Sequence, residues 1–251
     1  MSQLKCIKQL AILLLTLLTS LSALAQKSSV LQVGVLKSAN MGYLDQQQNP
    51  TGFEVELAQN ICQKIQHICH IKLQSFSQNL KDLQDNKLDF ALSSILITTE
   101  RKKHLLFSDH YMRSFSIFAG LPEQPKYRPV RVATVKGSVQ EKYLRQHKAD
   151  TMQTISYMHL EGAYQALLKG EVDQVLGPAI LQLGFISRHT ESDYELLGEP
   201  IRQNNLGGEV AVALPLTQTE LQQQINQALS EMLTDGSYNR LNKKYFPFSI
   251  Y

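Results

Sequence analysis

The chain has 251 residues, of which 43% are hydrophobic and 19% are charged. This composition is ample for one or two packed cores and excludes a disordered chain. The formal net charge is only +3, so nothing in the charge balance directs the chain to nucleic acid or to a lipid surface.

Residues 1–25 have the three parts of a cleavable secretory signal. A positive start with Lys5 and Lys8 precedes the apolar run Leu10–Leu18, and the small residues of Ala23–Ala25 suit cleavage directly after them. A membrane anchor is the alternative, but the longer apolar stretch Leu10–Leu24 is interrupted by Thr16, Thr19, Ser20 and Ser22 and falls short of about 20 apolar residues. We therefore predict an exported protein that is released from the membrane.

Three cysteines occur, and their positions point to one disulfide. Cys6 precedes the apolar run and is not placed for lipidation of a mature N-terminus. Cys62 and Cys69 remain after cleavage, and an even count in an oxidising compartment favours a bond between them. A zinc site is the alternative, because His67 and His70 crowd beside the cysteines. Adjacent residues on a short turn cannot all converge on one tetrahedral ion, so we expect the disulfide, with no metal and no cofactor.

Apolar patterns and turn signals divide the chain into two α/β units. Alternating strands and helices indicate a mainly parallel sheet flanked by helices in each unit. The predicted elements of the first unit are a strand at Val30–Leu36, a turn-rich loop up to Gly52, a helix from Phe53, an extended segment at Ile71–Leu73, a helix at Leu80–Leu88 and a strand at Phe90–Ile97.

A second unit follows a linker at Pro122–Pro129 and repeats the architecture without repeating the sequence. Its predicted elements are a strand at Val130–Val135, a helix from Gly137 to about Gln146, an extended segment at Gln153–Ser156, a helix at Leu160–Leu168, a strand at Val172–Leu176 and a helix at Ala179–Ile186. The last predicted elements are a strand at Glu209–Leu214 and amphipathic helices at Leu221–Leu233 and Tyr238–Tyr245. We expect both terminal helices to pack on the first unit.

Three groups of motifs carry a family resemblance. They are Thr51–Ala58 (TGFEVELA), then Ser93–Arg101 (SSILITTER) continued by Phe107–Tyr111 (FSDHY), then Gly170–Asp173 (GEVD) with Asp235–Tyr238 (DGSY) and Lys244–Phe246 (KYF). In this order they resemble the bacterial extracellular solute-binding proteins of the polar amino-acid class. The spacing of Cys62 and Cys69 is similar to the spacing bridged in the histidine and lysine/arginine/ornithine receptors.

The resemblance implies a two-lobed, Venus-flytrap fold with a two-strand hinge. It implies a monomeric periplasmic receptor that captures a small polar solute, an amino acid or a related carboxylate, and delivers it to the membrane permease of an ABC transporter. We expect residues 26–116 and 208–251 to form one lobe, and residues 117–207 to form the inserted lobe. The two crossings are predicted near Ser114–Ala119 and Leu206–Val210.

Arg101 is the predicted anchor of the ligand. A guanidinium binds a carboxylate through two parallel charge-assisted hydrogen bonds. Arg101 follows the predicted strand Phe90–Ile97, at the end where a parallel sheet places its ligand crevice. A surface arginine beside Lys102 and Lys103 is the alternative, and the resemblance favours the binding role.

The resemblance adds further residues to the predicted site. The segment Lys136–Gln140 resembles a loop that meets the carboxylate with amide N–H groups and a small hydroxyl, a role compatible with Ser138 as a helix N-cap. Phe76 lies where relatives place an apolar wall, although a place in the core is an equal alternative. The residues added in this way are Ser94, Phe76, Ser138, Val139 and Gln140.

Three predicted site positions depart from the family pattern. Pro178 stands where relatives carry an aspartate that accepts from the ligand ammonium, Leu96 where they carry Ser or Thr, and Ser38 near a stacking aromatic. A buried ammonium without an anionic partner is costly. Either groups such as Glu209 or Asp45 and backbone carbonyls replace the aspartate, or the solute is an acid without the usual α-amino group.

Two other functions are compatible with the fold that the resemblance implies. A periplasmic dehydratase acting on a cyclic acid would need a cleft carboxylate or histidine with a tuned pKa. The sequence contains no G-x-S-x-G elbow, H-E-x-x-H helix or phosphate loop, so we predict a receptor and not an enzyme. A ligand sensor for a signalling receptor would have the same sequence features as a transport receptor.

Overall fold

The computed structural model describes residues 30–251, so the predicted secretion signal at residues 1–25 lies outside the described residues. Seven α-helices and eleven strands occur in this part of the chain. None of these helices has the length and apolar content that crossing a lipid bilayer requires.

The first part of the fold is a set of strands and helices that alternate as predicted. Its elements are β1 (Val30–Leu36), β2 (Tyr43–Leu44), β3 (Pro50–Thr51), α1 (Phe53–Lys64), β4 (Ile68–Gln74), α2 (Phe76–Gln84), β5 (Phe90–Leu92) and a 3-10 turn (Arg101–Lys103). Strands β4, β1 and β5 are parallel neighbours. Val33 and Val35 of the central strand β1 are completely buried, which explains why most of its residues are apolar.

The second part repeats this arrangement, and the chain then returns to the first part. Its elements are β6 (Leu105–Gly120), β7 (Val130–Val135), α3 (Val139–His147), β8 (Met152–Tyr157), α4 (Leu160–Leu168), β9 (Gln174–Pro178), α5 (Ala179–Ser187) and β10 (Glu195–Ile201), followed by β11 (Gly207–Pro215), α6 (Thr219–Thr234) and α7 (Ser237–Tyr245). Strands β9, β7 and β8 are parallel neighbours, and α6 and α7 pack against α1, as predicted for the terminal helices.

Strand β6 belongs to both halves of the molecule. It pairs with β11 up to Phe115, and from Ser116 it pairs with β9 and β10. We call lobe 1 the part built on β1, β4, β5 and β11, and lobe 2 the part built on β7 to β10. The chain crosses between the lobes within β6 and again between β10 and β11, so the predicted two-lobed fold with two crossings is confirmed.

Two predicted elements of lobe 1 are placed wrongly. The helix predicted at Leu80–Leu88 begins four residues earlier, because the Ser75 side chain accepts a hydrogen bond from Gln78 N at 3.2 Å and caps the helix there. The strand predicted at Phe90–Ile97 ends at Leu92. Ser94 has a φ of +48°, outside the extended region, so the strand cannot continue through it.

The predicted disulfide between Cys62 and Cys69 is present and joins the last turn of α1 to β4, with the two Cα atoms 6.0 Å apart. The neighbouring histidines point to other partners: Nδ1 of His67 lies 2.6 Å from the carbonyl oxygen of Ile65, and Nδ1 of His70 lies 3.0 Å from Gln32 Oε1. No cluster of three metal-ligating side chains occurs within residues 30–251. The sulfur atoms are therefore committed to a structural bond.

Candidate functional site

A small cavity lies between the two lobes, at the carboxyl ends of the parallel strands. Its free volume is about 50 Å³, which suits a small solute. The lobes meet at its edge, since a Cβ atom added to Gly137 of lobe 2 would lie 3.8 Å from Cβ of Ser77 in lobe 1. The structure is therefore that of a closed cleft.

The cavity brings together the nine residues that the sequence analysis placed at the family's ligand-contact positions. Those from lobe 1 are Ser38, Phe76, Ser94, Leu96 and Arg101, and those from lobe 2 are Ser138, Val139, Gln140 and Pro178. They lie on loops and first helical turns that follow β1, β4, β5, β7 and β9, which explains why residues so distant in sequence meet. Their ligand-binding roles stay predictions.

The Arg101 guanidinium is held in the cavity wall by uncharged neighbours. Its Nη1 donates a hydrogen bond to the carbonyl oxygen of Leu96 at 2.9 Å, and its central carbon lies 5.1 Å from the centre of the Phe76 ring. Removal from water lowers the pKa of Arg101 from 12.5 to about 10, which leaves it charged at neutral pH. No carboxylate within residues 30–251 forms an ion pair with it. Its remaining N–H groups are therefore available to an anion.

Ser94 is held from behind the cavity wall by Glu54. Both its backbone N–H and its hydroxyl donate to Glu54 Oε1, at 2.6 and 2.9 Å, and the Tyr111 hydroxyl donates to the same oxygen at 2.6 Å. Burial raises the pKa of the Glu54 carboxyl, although these three hydrogen bonds act in the opposite direction. Ser94 can therefore offer a ligand only a lone pair of its hydroxyl oxygen.

Lobe 2 presents the N-termini of three helices to the cavity. Ser138, His159 and Pro178 are the N-cap residues of α3, α4 and α5, and all three line the cavity. The Ser138 hydroxyl accepts from Glu141 N at 3.1 Å, so Ser138 caps α3 as the sequence predicted. A helix N-terminus carries a partial positive charge and free N–H groups. This wall is therefore electropositive, although no lysine or arginine is among its described lining residues.

The Gln140 side chain is hydrogen-bonded to the segments in which the chain crosses between the lobes. Its Nε2 donates to Ser116 Oγ at 2.9 Å, and the Ser116 hydroxyl donates to the carbonyl oxygen of Leu206 at 2.8 Å. Gln140 and Ser116 are buried, and Leu206 is completely buried. Gln140 thus links the first turn of α3 to both crossings, and its amide nitrogen already has a partner inside the protein.

The two acids suggested as substitutes for the missing aspartate are wrong, because neither lines the cavity. Asp45 accepts two backbone N–H groups in its own turn, both at 2.8 Å. Glu209 Oε1 lies 3.6 Å from the His110 ring and 3.7 Å from the Arg113 guanidinium. Pro178 does line the cavity, so the position for which the family resemblance implies an acid carries none here.

Several lining residues were missed by the sequence analysis. The polar ones are Lys37, Ser93, Ser114, Thr134 and His159. His159 is the most informative, because its Nδ1 is buried without a hydrogen-bond partner in the described structure. It lies between the predicted extended segment Gln153–Ser156 and the predicted helix Leu160–Leu168. The argument used for Arg101, that ligands bind beyond the carboxyl ends of parallel strands, could therefore have identified it.

Two α/β lobes that share a long strand and close over a cleft with an enclosed arginine define the class of two-lobed solute-binding proteins. The chain belongs to the bacterial extracellular solute-binding proteins, family 3, whose family profile matches residues 31–248.

Relatives and solved structures agree with this placement. The chain is 28% identical to the lysine/arginine/ornithine-binding periplasmic protein of Escherichia coli over 96% of its own length and 98% of that protein. It is 27% identical to the histidine-binding periplasmic protein of Salmonella typhimurium over 80% of each chain. An ancestral arginine-binding protein bound to glutamine superposes with a TM-score of 0.78 at 26% identity, covering 87% of this chain and 98% of that one. These relatives are binding proteins.

Proposed function

We propose that this chain is a periplasmic receptor that captures a small carboxylate-bearing solute, an amino acid or a related acid, and delivers it to the permease of an ABC importer. The lysine/arginine/ornithine-binding and histidine-binding periplasmic proteins named above support the role of a periplasmic solute receptor. In this proposal the segment 1–25 is a cleaved signal peptide and the mature protein is a monomer.

The observation that carries the proposal is the guanidinium of Arg101. It is enclosed between two lobes, keeps its charge, and has no acid partner within the described residues. A partly buried charge without an acid partner is unfavourable, so an anion that enters the cavity gains a favourable charge-assisted interaction. A carboxylate matches the planar geometry of the guanidinium.

In the proposed receptor, closure of the two lobes is the change that the transporter would recognise. Residues 26–116 and 208–251 would form one rigid unit and residues 117–207 the other, with the bends in the two crossings. The solute binds first to Arg101 in lobe 1, and closure of lobe 2 then excludes water and strengthens the ionic contact. The transporter would select the closed form.

A thermal-shift screen of the mature chain, residues 26–251, tests the proposal. The panel contains the amino acids, their deaminated analogues and small carboxylates. At hundredfold saturation we expect a carboxylate to raise the melting temperature by about 5 to 10 °C, because a ligand that binds only the folded state stabilises it. Arg101→Ala should abolish this rise. Recovery of the unchanged ligand after incubation separates a receptor from a dehydratase.

Lys102→Ala is the matched control, because Lys102 is an exposed cation in the same 3-10 turn. It removes the same formal charge without touching the cavity, so the rise in melting temperature should persist. A rise that survives Arg101→Ala, or a panel in which no carboxylate stabilises the protein, contradicts the proposed function.

A further inference from the structure

The charges around the cavity are all of one sign. The described lining residues include the cations Arg101 and Lys37 and no aspartate or glutamate. The helix N-termini of lobe 2 add partial positive charge at the opposite wall. A carboxylate is favoured from both sides, whereas an ammonium group would be repelled from both sides.

No acid close to the cavity is free to change this balance. Glu54 touches the lining residue Ser94, but it lies behind that residue, and its Oε1 already accepts hydrogen bonds from the Ser94 backbone, the Ser94 hydroxyl and the Tyr111 hydroxyl. A wider cleft of about 680 Å³ adjoins the cavity and contains Glu100 and Glu141. Glu100 is paired with Lys103 at 2.8 Å, and Glu141 accepts from Arg145 and from the backbone of Gly137.

The rest of the cavity is apolar. Its hydrophobic lining residues are Leu36, Phe76, Leu96, Val135, Val139, Met158, Leu160, Leu176 and Leu181. Most of the polar side chains already have partners: Thr134 donates to the carbonyl oxygen of Leu176 at 3.0 Å, and Ser93 accepts from Asn79. His159 has a buried Nδ1 without a hydrogen-bond partner in the described residues. One neutral polar group on a ligand could be satisfied there.

We propose that the solute is a small monocarboxylate with an apolar chain and no ammonium group, such as a simple, 2-oxo or 2-hydroxy acid. The inference rests on the proposed function, since it keeps the carboxylate on Arg101. An amino acid would have to bury its ammonium beside Arg101 and the helix N-termini with no acid in the described lining, and this cost selects against it. The amino acids bound by the relatives are therefore not the solutes of this chain.

Calorimetric titration of the mature chain with matched sets of ligands tests the inference. The sets are alanine with pyruvate, lactate and propionate, valine with isovalerate, and phenylalanine with phenylpyruvate, together with lysine, arginine and histidine. We expect at least one nitrogen-free acid to bind more tightly than its amino acid by on the order of tenfold or more. None of the three basic amino acids should bind.

Pro178→Asp is designed to reverse this preference. Pro178 has a φ of −60° and is the N-cap of α5, a position that aspartate occupies readily, so the fold should be kept. The new carboxylate should create amino-acid binding and weaken binding of the nitrogen-free acid. Pro178→Asn is the matched control, because asparagine has the shape of aspartate without the charge. It should not create amino-acid binding, and its own affinity for the nitrogen-free acid measures the effect of the change in shape alone. Circular dichroism checks that both variants are folded.

The outcomes separate this inference from the proposed function. An amino acid that binds as tightly as its nitrogen-free partner, with binding lost in Arg101→Ala, overturns the inference and leaves the receptor intact. Failure of every member of the matched sets also overturns the ligand class. The absence of any carboxylate whose binding depends on Arg101 overturns both.

Discussion

The two lobes present different walls to the same cavity. Lobe 1 supplies the formal charges, Arg101 and Lys37, whereas the described lining of lobe 2 contains neither a carboxylate nor a lysine or arginine. Lobe 2 contributes helix N-termini and apolar side chains instead. The two lobes therefore contribute different parts of the proposed binding interaction. In the proposed receptor, the anchor for the carboxylate is complete in lobe 1 before closure, and lobe 2 selects the remainder of the ligand.

The lobes also differ in what stabilises them. In lobe 1 the disulfide joins α1 to β4 covalently. In lobe 2 the carboxylate of Asp173, with only 13% of its side chain exposed, accepts from Arg128 at 2.6 and 2.8 Å and from the backbone and side chain of Arg131. This clamp ties the linker before β7 to the start of β9. We therefore expect the stability of lobe 1 to depend on the redox state of this disulfide, and the stability of lobe 2 to depend on pH.

The largest change in stability is expected from removal of the disulfide. Replacing Cys62 and Cys69 together by serine should lower the free energy of unfolding by about 2–3 kcal/mol, since the short loop gains freedom in the unfolded chain. Urea unfolding of the oxidised protein and of the variant measures this. Cys69 lies at the amino end of β4, away from the cleft, so ligand affinity should change little. A large loss of ligand affinity would contradict the expectation that the disulfide stabilises lobe 1 without affecting the cavity.

A smaller change is expected from Asp173→Asn in lobe 2. Arg128 and Arg131 hold the pKa of Asp173 well below its usual range. The group therefore stabilises the fold above the pKa of the unfolded chain, about 3.9, and this contribution is lost as the pH falls through the folded pKa. We expect the variant to be less stable by about 1–2 kcal/mol at pH 7, after allowance for solvent screening, and this difference should shrink below about pH 4.

Asp85→Asn is the control for that measurement. The Asp85 carboxylate also accepts from two cations, Lys81 at 3.3 Å and Lys87 at 3.0 Å, but these side chains are exposed on lobe 1. Its substitution should leave the unfolding midpoint almost unchanged at every pH. Equal effects of the two substitutions would mean that the clamp in lobe 2 contributes no more than an ordinary surface pair.

Local patterns in the sequence predicted most of this fold. The strand Val130–Val135 and the helix Leu160–Leu168 have their predicted bounds, because each is flanked by clear turn signals. The long strand β6 was predicted only as a motif and a crossing. Its two halves pair with different neighbours, so no single alternation of apolar residues runs through it. Strand β10 was missed because Gly198 and Pro200 interrupt it and its pairing is irregular.

The cavity-lining residues could be predicted where their place at the end of a strand determines that they line the cavity. Strand ends and the family resemblance identified Arg101, Ser138 and Pro178, which all line the cavity. The hydrogen-bond partners of these side chains could not be predicted from the sequence, because the partners are distant along the chain. Gln140 looks free in the sequence, yet Ser116 binds its amide. The absence of an acid from the described lining is likewise a three-dimensional property.

The smallest change in stability is expected from substitution of Ser116. This residue cannot be assigned to one lobe, because its hydroxyl lies in one crossing and hydrogen-bonds both Gln140 of lobe 2 and the other crossing. Ser116→Ala would leave the Gln140 amide and the Leu206 carbonyl without their shared partner, at a cost of about 1 kcal/mol in stability. Ligand affinity should fall by a few-fold, because the closed arrangement of the crossings loses the same bonds. Gln140→Met removes the other end of the link, and the double variant completes a cycle. Additive effects would mean that the two side chains act independently, whereas the structure requires the second substitution to cost less once the first is made.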